Sequence, residues 1–157
     1  MEFKFSEDNK TKIADVIKKY PAKEAAVMPV LYIAQEQNGW ISQEVISEVA
    51  ETLSMPPEDV LGVATFYTMF HKKPVGKYHI QVCTNVSCML RGGYEVFDAV
   101  REKLGIEEGE VTADSKFSLE EVECMGSCGT APMLAVNADY YENLTVEKAK
   151  EILESLK

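Results

Sequence analysis

Tyr78-His79-Ile80-Gln81-Val82-Cys83-Thr84-Asn85-Val86-Ser87-Cys88 is an alternating run that ends on a cysteine and reaches a second one five positions later. Residues 78–83 alternate polar and apolar side chains of β-forming types, the pattern of a strand. Such a strand delivers Cys83 to its end. Further along, residues 117–123 read as a second strand, with Phe117, Leu119 and Val122 alternating imperfectly around Glu121. The loop Cys124-Met125-Gly126-Ser127-Cys128-Gly129 follows it. The spacing is therefore Cys83-x4-Cys88, 35 residues, then Cys124-x3-Cys128. If the two strands are neighbours, four sulfurs converge at one end of a sheet.

These are the only cysteines in 157 residues. A chain of this length does not need disulfides to fold, and its start, MEFKFSEDNK, carries acids early and no apolar core segment, so a secretory signal is not expected. Paired cysteines in that setting point to metal or redox chemistry. Four convergent thiolates select zinc or an iron–sulfur cluster. Structural zinc knuckles usually place two residues between ligands, and neither pair here does. Wider loops suit a binuclear cluster, whose thiolates must span two irons. Glycines in the second loop let backbone N–H groups approach sulfur closely. Cys88 falls near an expected helix start, where unpaired N–H groups favour an anionic sulfur. A thioredoxin-type dithiol would need Cys-x-x-Cys, which is absent. The pattern favours a [2Fe–2S] cluster, with structural zinc and a [4Fe–4S] cluster as the chemical alternatives.

The rest of the second half alternates strand and helix. Residues 88–104 read as one helix with Phe97, Val100 and Leu104 on a face and Gly105 at its end. Met133–Val136 reads as a third short strand, Asn137-Ala138-Asp139 as a turn before Tyr140-Tyr141, and Thr145 as the cap of a last helix with Ala149, Ile152, Leu153 and Leu156 inward. The order β-α-β-β-α fits an α/β domain around a central sheet, thioredoxin-like in outline.

The first half reads as helical. Ile13, Val16, Ile17 and Tyr20 keep the spacing of one helix face, and Pro21 stops it. Residues 23–38 form a second apolar segment ending at Asn38-Gly39, with Pro29 expected to kink it or split off its first turn. Ser42 caps a third helix that buries Ile46, Val49, Ala50 and Leu53. Pro56-Pro57-Glu58-Asp59 opens a fourth, with Val60, Val63, Ala64 and Tyr67 as its stripe. The connector His71-Lys72-Lys73-Pro74-Val75-Gly76 separates the halves. The expected organisation is α+β, with a four-helix domain over 1–74 and the α/β domain over 75–157.

Hydrophobic residues make up 46% of the chain, enough for a substantial core, and charged residues 27%. The net charge is −10. That argues against nucleic acid and against an anionic membrane surface as main partners. No run of 18 apolar residues suggests a membrane span, so membrane insertion is not expected. No glycine-rich dinucleotide loop is visible, so the chain is not expected to bind NADH itself.

At the cysteines the sequence resembles the 24 kDa subunit family of NADH:quinone oxidoreductase, respiratory complex I. Asp114-x-x-Phe117-Ser118-x5-Cys124-Met125-Gly126-x-Cys128-x-x-Ala131-Pro132 and Cys83-x4-Cys88 carry the likeness. Asn38-Gly39-Trp40-Ile41 and Gly62-Val63-Ala64-Thr65-Phe66-Tyr67-Thr68-Met69-Phe70 extend it into the helical half. The resemblance implies an N-terminal helical bundle followed by a thioredoxin-like ferredoxin domain. It implies one [2Fe–2S] cluster on Cys83, Cys88, Cys124 and Cys128. It implies a flavoprotein partner of the 51 kDa type that holds FMN and the NADH site. The chain would then be an electron-transfer subunit with no catalytic residue of its own, cytoplasmic and peripheral to the inner membrane through its complex. The same subunit type serves NAD-reducing or electron-bifurcating hydrogenases and NAD-dependent formate dehydrogenases, which stand as the alternative setting. A free-standing ferredoxin and a zinc-stabilised interaction module are the competing classes. The helical half argues against the first, and visible absorbance separates the second.

Outside the cysteines, His79 is expected to have a surface or packing role in its strand rather than to ligate. Ala131-Pro132 is compatible with a cis peptide or an ordinary turn. Arg91 is expected as a solvated side chain or a counter-charge to a cluster. The run Phe66, Tyr67, Met69 and Phe70, together with Trp40, exceeds what a small bundle buries, so part of it is expected to face a partner.

Overall fold

The computed structural model describes residues 2–156. Packing divides the chain into two compact units, Met1–Pro74 and Val75–Lys157.

The first unit is helical. Helix α1 spans Glu7–Ile17, where the Ser6 hydroxyl accepts from the Asn9 N–H and Glu7 and Asp8 complement the helix dipole. It ends before Tyr20, so Tyr20 is exposed instead of completing the buried face. Pro29 has the effect its missing N–H dictates. A 3₁₀ turn at Lys23–Ala26 is split from helix α2, Val27–Asn38, and Pro29 falls in the first turn of α2, where no N–H is needed. Helix α3, Gln43–Leu53, is capped by Ser42 and buries Val45, Ile46, Val49, Ala50 and Leu53. Helix α4, Pro57–Phe66, starts on its proline and buries Val60 and Ala64. Phe5, Ile13, Val30, Leu31 and Phe70 complete this core. The aromatic run divides: Phe70 is fully buried, whereas Phe66 is 78% exposed and Met69 is exposed as well.

The second unit is built on four strands. Strand β1 is Tyr78–Cys83. Two helices follow it, α5 at Val86–Met89 and α6 at Gly93–Leu104. The single helix expected over 88–104 is thus two. Gly92 takes φ +96°, in the left-handed region, and the chain turns there between α5 and α6. Strand β2 is Phe117–Val122, β3 is Leu134–Val136 and β4 is Asp139–Tyr141; helix α7 runs from Val146 to Ser155 behind its Thr145 cap. The sheet order is β2-β1-β3-β4. β1 and β2 are parallel, with Cys83 opposite Val122, and β3 and β4 add antiparallel. Tyr140-Tyr141 is therefore part of a fourth strand and not merely the sequel of a turn. Asn137, at φ +56°, forms the turn that pairs it with β3.

Strand alternation sorts the side chains of β1 between two faces. Ile80 and Val82 join Leu119, Leu134 and Val136 under Val96, Phe97 and Val100 of α6 and Ala149 and Leu153 of α7. On the other face, His79 is buried and hydrogen-bonded through Nδ1 to Ser118 Oγ and through Nε2 to Glu120, each at 2.8 Å. His79 packs and bonds within the sheet, as its place in the strand leads one to expect. Among the described residues, no helix is long and apolar enough to cross a membrane.

Candidate metal centre

Parallel β1 and β2 leave the sheet at the same end, so each strand feeds one cysteine pair into one region. Cys83 is the last residue of β1, and Cys124 stands two residues beyond β2. Cys88 reaches the site on α5, and Cys128 opens a 3₁₀ turn over Cys128–Thr130. All four are free thiols; Cys83 and Cys88 are buried, and Cys124 and Cys128 are exposed.

Cys83 and Cys88 share a small apolar cluster with Ala131 and Met133, flanked by Val122 and Met125. The Met133 carbonyl accepts from the Cys83 N–H at 3.2 Å, which ties the segment before β3 to the end of β1. Burial pushes the Cys88 thiol up to about 11; the hydrogen bond to Cys83 and the charges of Cys83 and Cys128 act in the same direction, and the Met133 N–H opposes them. Cys83, Cys88 and Cys128 therefore lie within electrostatic reach of one another. Cys124 belongs to the open side of the site, where the Gly126 N–H donates to its Sγ at 3.4 Å. Among the described residues, no three His, Cys, Asp or Glu side chains gather tightly enough for a single ion.

The residues present fit a sulfur-ligated cluster. The donor set is four thiols with no histidine among them, and the Gly126 N–H points at the Cys124 sulfur. Gly93 adds a constraint on the backbone. A Cβ there would stand 2.8 Å from the Cys88 carbonyl carbon and 3.0 Å from the Cys83 oxygen. The missing side chain is what lets α6 start against both cysteine backbones. Ala131-Pro132 is cis and leads into Met133. Arg91 is exposed.

The exposure pattern predicts reactivity in the cluster-free chain. Alkylation at pH 8 is expected to label Cys124 and Cys128 first and Cys83 and Cys88 last. Burial shields the second pair, and the raised Cys88 thiol has little thiolate to react. Peptide mapping by mass spectrometry checks the order. Equal labelling of all four would contradict the buried placement of β1 and α5.

A sheet carrying thiols from two parallel strand ends, covered by helices on one face, defines a thioredoxin-like iron–sulfur protein. The profile of the thioredoxin-like [2Fe–2S] ferredoxin family matches residues 13–157, and the chain belongs to that family. Its cofactor is accordingly a [2Fe–2S] cluster. An NADH-quinone oxidoreductase subunit of Rickettsia bellii is 50% identical over 99% of this chain and 95% of its own length. The mitochondrial NADH dehydrogenase [ubiquinone] flavoprotein 2 of Dictyostelium discoideum is 42% identical over 99% of this chain and 64% of its own. In fold, the chain is similar to an NAD⁺-reducing [NiFe]-hydrogenase solved in its H₂-reduced state. The TM-score is 0.70 at 21% identity, over 80% of this chain and 22% of the hydrogenase chain.

Three features of the site go beyond the sequence pattern. One is the division between α5 and α6, for which the pair Gly92-Gly93 is the available signal. The others are strand β4 and two side chains beside the second cysteine loop, Tyr140 within β4 and Glu142 just past its end.

Proposed function

We propose that this chain is the iron–sulfur subunit of an NADH:quinone oxidoreductase, complex I. Cys83, Cys88, Cys124 and Cys128 would ligate its cluster. The carrying observation is that both cysteine pairs leave one end of the parallel β1–β2 pair, in a chain alignable along nearly its whole length with the Rickettsia bellii subunit. When bound, the cluster supplies one-electron storage, and hydride chemistry belongs to a flavin elsewhere. The chain's own residues hold and shield the site. Cys83 and Cys88 form its dry wall with Met133, and the Gly126 N–H donates toward the sulfur on its open side.

The partner in this reading is the FMN-bearing, NADH-binding subunit. Val86, Met89, Leu90 and Tyr94 surround Cys88 in sequence and remain exposed, Leu90 at 76%. Apolar side chains clustered beside a redox centre suit a protein partner at electron-transfer distance. The exposed Phe66 and Met69 suit a second contact through the helical unit. The two compact units would then act as separate domains, a four-helix docking domain over 1–74 and the ferredoxin domain over 75–157. The location in this reading is the cytoplasmic face of the membrane, held there by the complex.

An anaerobic iron and sulfide assay with EPR tests the reading. Two irons and two sulfides per chain, EPR-silent when oxidised and paramagnetic after dithionite, are expected. Purification from its source should bring a flavoprotein with it. A colourless protein holding one zinc would overturn the electron-transfer account.

A further inference from the structure

The loop that carries Cys124 and Cys128 is the exposed half of the site, yet it is tied at several points to one segment, residues 140–144. Tyr140 Oη donates to the Met125 carbonyl at 3.1 Å, one residue beyond Cys124. The Thr130 hydroxyl, two residues past Cys128, donates to the Glu142 carboxylate, and that bond, with the nearby Ser127 hydroxyl acting in the same direction, holds the carboxyl below its usual range. The Asn143 N–H donates to the Thr130 carbonyl at 2.7 Å, and the Leu144 N–H to the Pro132 carbonyl at 3.1 Å. Strand β4 and the turn after it thus run as a strap beside residues 125–132. The strap's own footing is firm: β4 pairs with β3, and Leu144 is buried in the core that α7 covers.

A hydroxyl has one proton to give. Thr130 also lies within reach of the Ser127 carbonyl, at 3.2 Å. The ionised carboxylate is the stronger acceptor, so Glu142 competes successfully with that local bond. Its bond to Thr130 fixes the loop just past Cys128, and Tyr140 fixes it next to Cys124. Neither Tyr140 nor Glu142 can be a cluster ligand by thiolate chemistry. Both control where the ligands sit. Residues in that relation to a metal site govern its affinity and electronics, typically by about 10–100-fold in affinity.

We propose that Tyr140 and Glu142 are positioning residues for the cluster, clamping the Cys124–Cys128 loop in its ligating geometry; this rests on the assignment of the four cysteines as ligands. Both side chains are largely exposed, so their replacement opens no cavity in the core.

The test uses the full chain with its cluster. Tyr140→Phe, Glu142→Ala and Glu142→Gln are compared with the parent and with Glu151→Gln, which removes an equal charge on α7. Iron release to a chelator, the g-values of the reduced EPR signal, hydrogen exchange of residues 124–130 and the thermal midpoint are measured. Glu142→Ala should release iron about 10-fold faster. Its g-values should shift and its loop should exchange faster. Tyr140→Phe should move the same readouts by less. Glu142→Gln retains an acceptor oxygen and should recover most of the parent behaviour, and Glu151→Gln should match the parent throughout.

Parent-like release, g-values and loop exchange in Tyr140→Phe and Glu142→Ala would overturn the clamp alone. Release that rises only in step with a falling thermal midpoint, at parental g-values, would overturn it as well, since the residues would then be general stabilisers. A parent chain without two irons, or one whose iron survives loss of a cysteine, would overturn the ligand assignment and the clamp with it.

Discussion

Replacing Cys124 by Ala is expected to abolish stoichiometric iron binding while leaving the helical unit folded. Three thiolates remain in that variant, and a binuclear cluster held by four cysteines would lose one of the two thiolates on one iron. His79 of β1 offers no substitute, because its ring is engaged with Ser118 and Glu120 on both nitrogens. The helical unit has its own core of Val30, Leu31, Val45, Val49, Leu53, Val60 and Phe70, with no member drawn from the cysteine region. Cys124 is exposed, so trimming its sulfur leaves no cavity and little direct cost to stability. The expected result is a colourless chain with near-parental helical circular dichroism. Two irons per chain in Cys124→Ala would contradict its assignment as a ligand.

The fold was legible in the sequence wherever a local rule and the tertiary structure agreed. Ser42 and Thr145 cap α3 and α7 because a short polar side chain can bond back to the first turn, whatever lies around it. The alternation of 78–83 survives because the two faces of β1 meet different chemistry, Ile80 and Val82 against helices, His79 and Gln81 in a polar network. The cysteine spacing leads to one end of the sheet because Cys83 ends β1 and Cys124 stands just past β2. What the pattern missed has no apolar periodicity of its own to show it. β4 is three residues long and mostly exposed, so it has no alternation of its own to detect; it exists because Asn137 turns it back onto β3. The bond from Thr130 to Glu142 joins two loop side chains across the cis-Pro132 turn and β3–β4, and no local periodicity encodes such a pairing. The helix over 88–104 looked continuous because Phe97, Val100 and Leu104 keep their spacing within α6 alone. The break lies upstream, at a left-handed Gly92.

The same break explains the second large effect. Gly93→Val is expected to lose the cluster and to destabilise the ferredoxin unit, although residue 93 is no ligand. A Cβ at this position would meet the Cys88 carbonyl carbon at 2.8 Å, its oxygen at 2.9 Å and the Cys83 oxygen at 3.0 Å. All three atoms are backbone, so no side chain can swing aside to make room. Relief requires α5 to move away from α6 or α6 away from β1. Either motion shifts Cys88 relative to Cys83, whose backbone the same glycine touches. Overpacking of this kind costs about 1–3 kcal/mol, and a valine adds two methyl groups beyond the Cβ. The cluster is more sensitive than the fold, because ligand sulfurs tolerate displacements of only about 0.2 Å before metal geometry suffers. Gly93→Ala should therefore already reduce iron occupancy while its denaturation midpoint falls less, and Gly93→Val should lose both. Urea denaturation of the cluster-free chains, set beside iron content of the reconstituted ones, separates the two effects. A Gly93→Val chain with parental iron content would show that Cys83 and Cys88 do not depend on the close approach of α6.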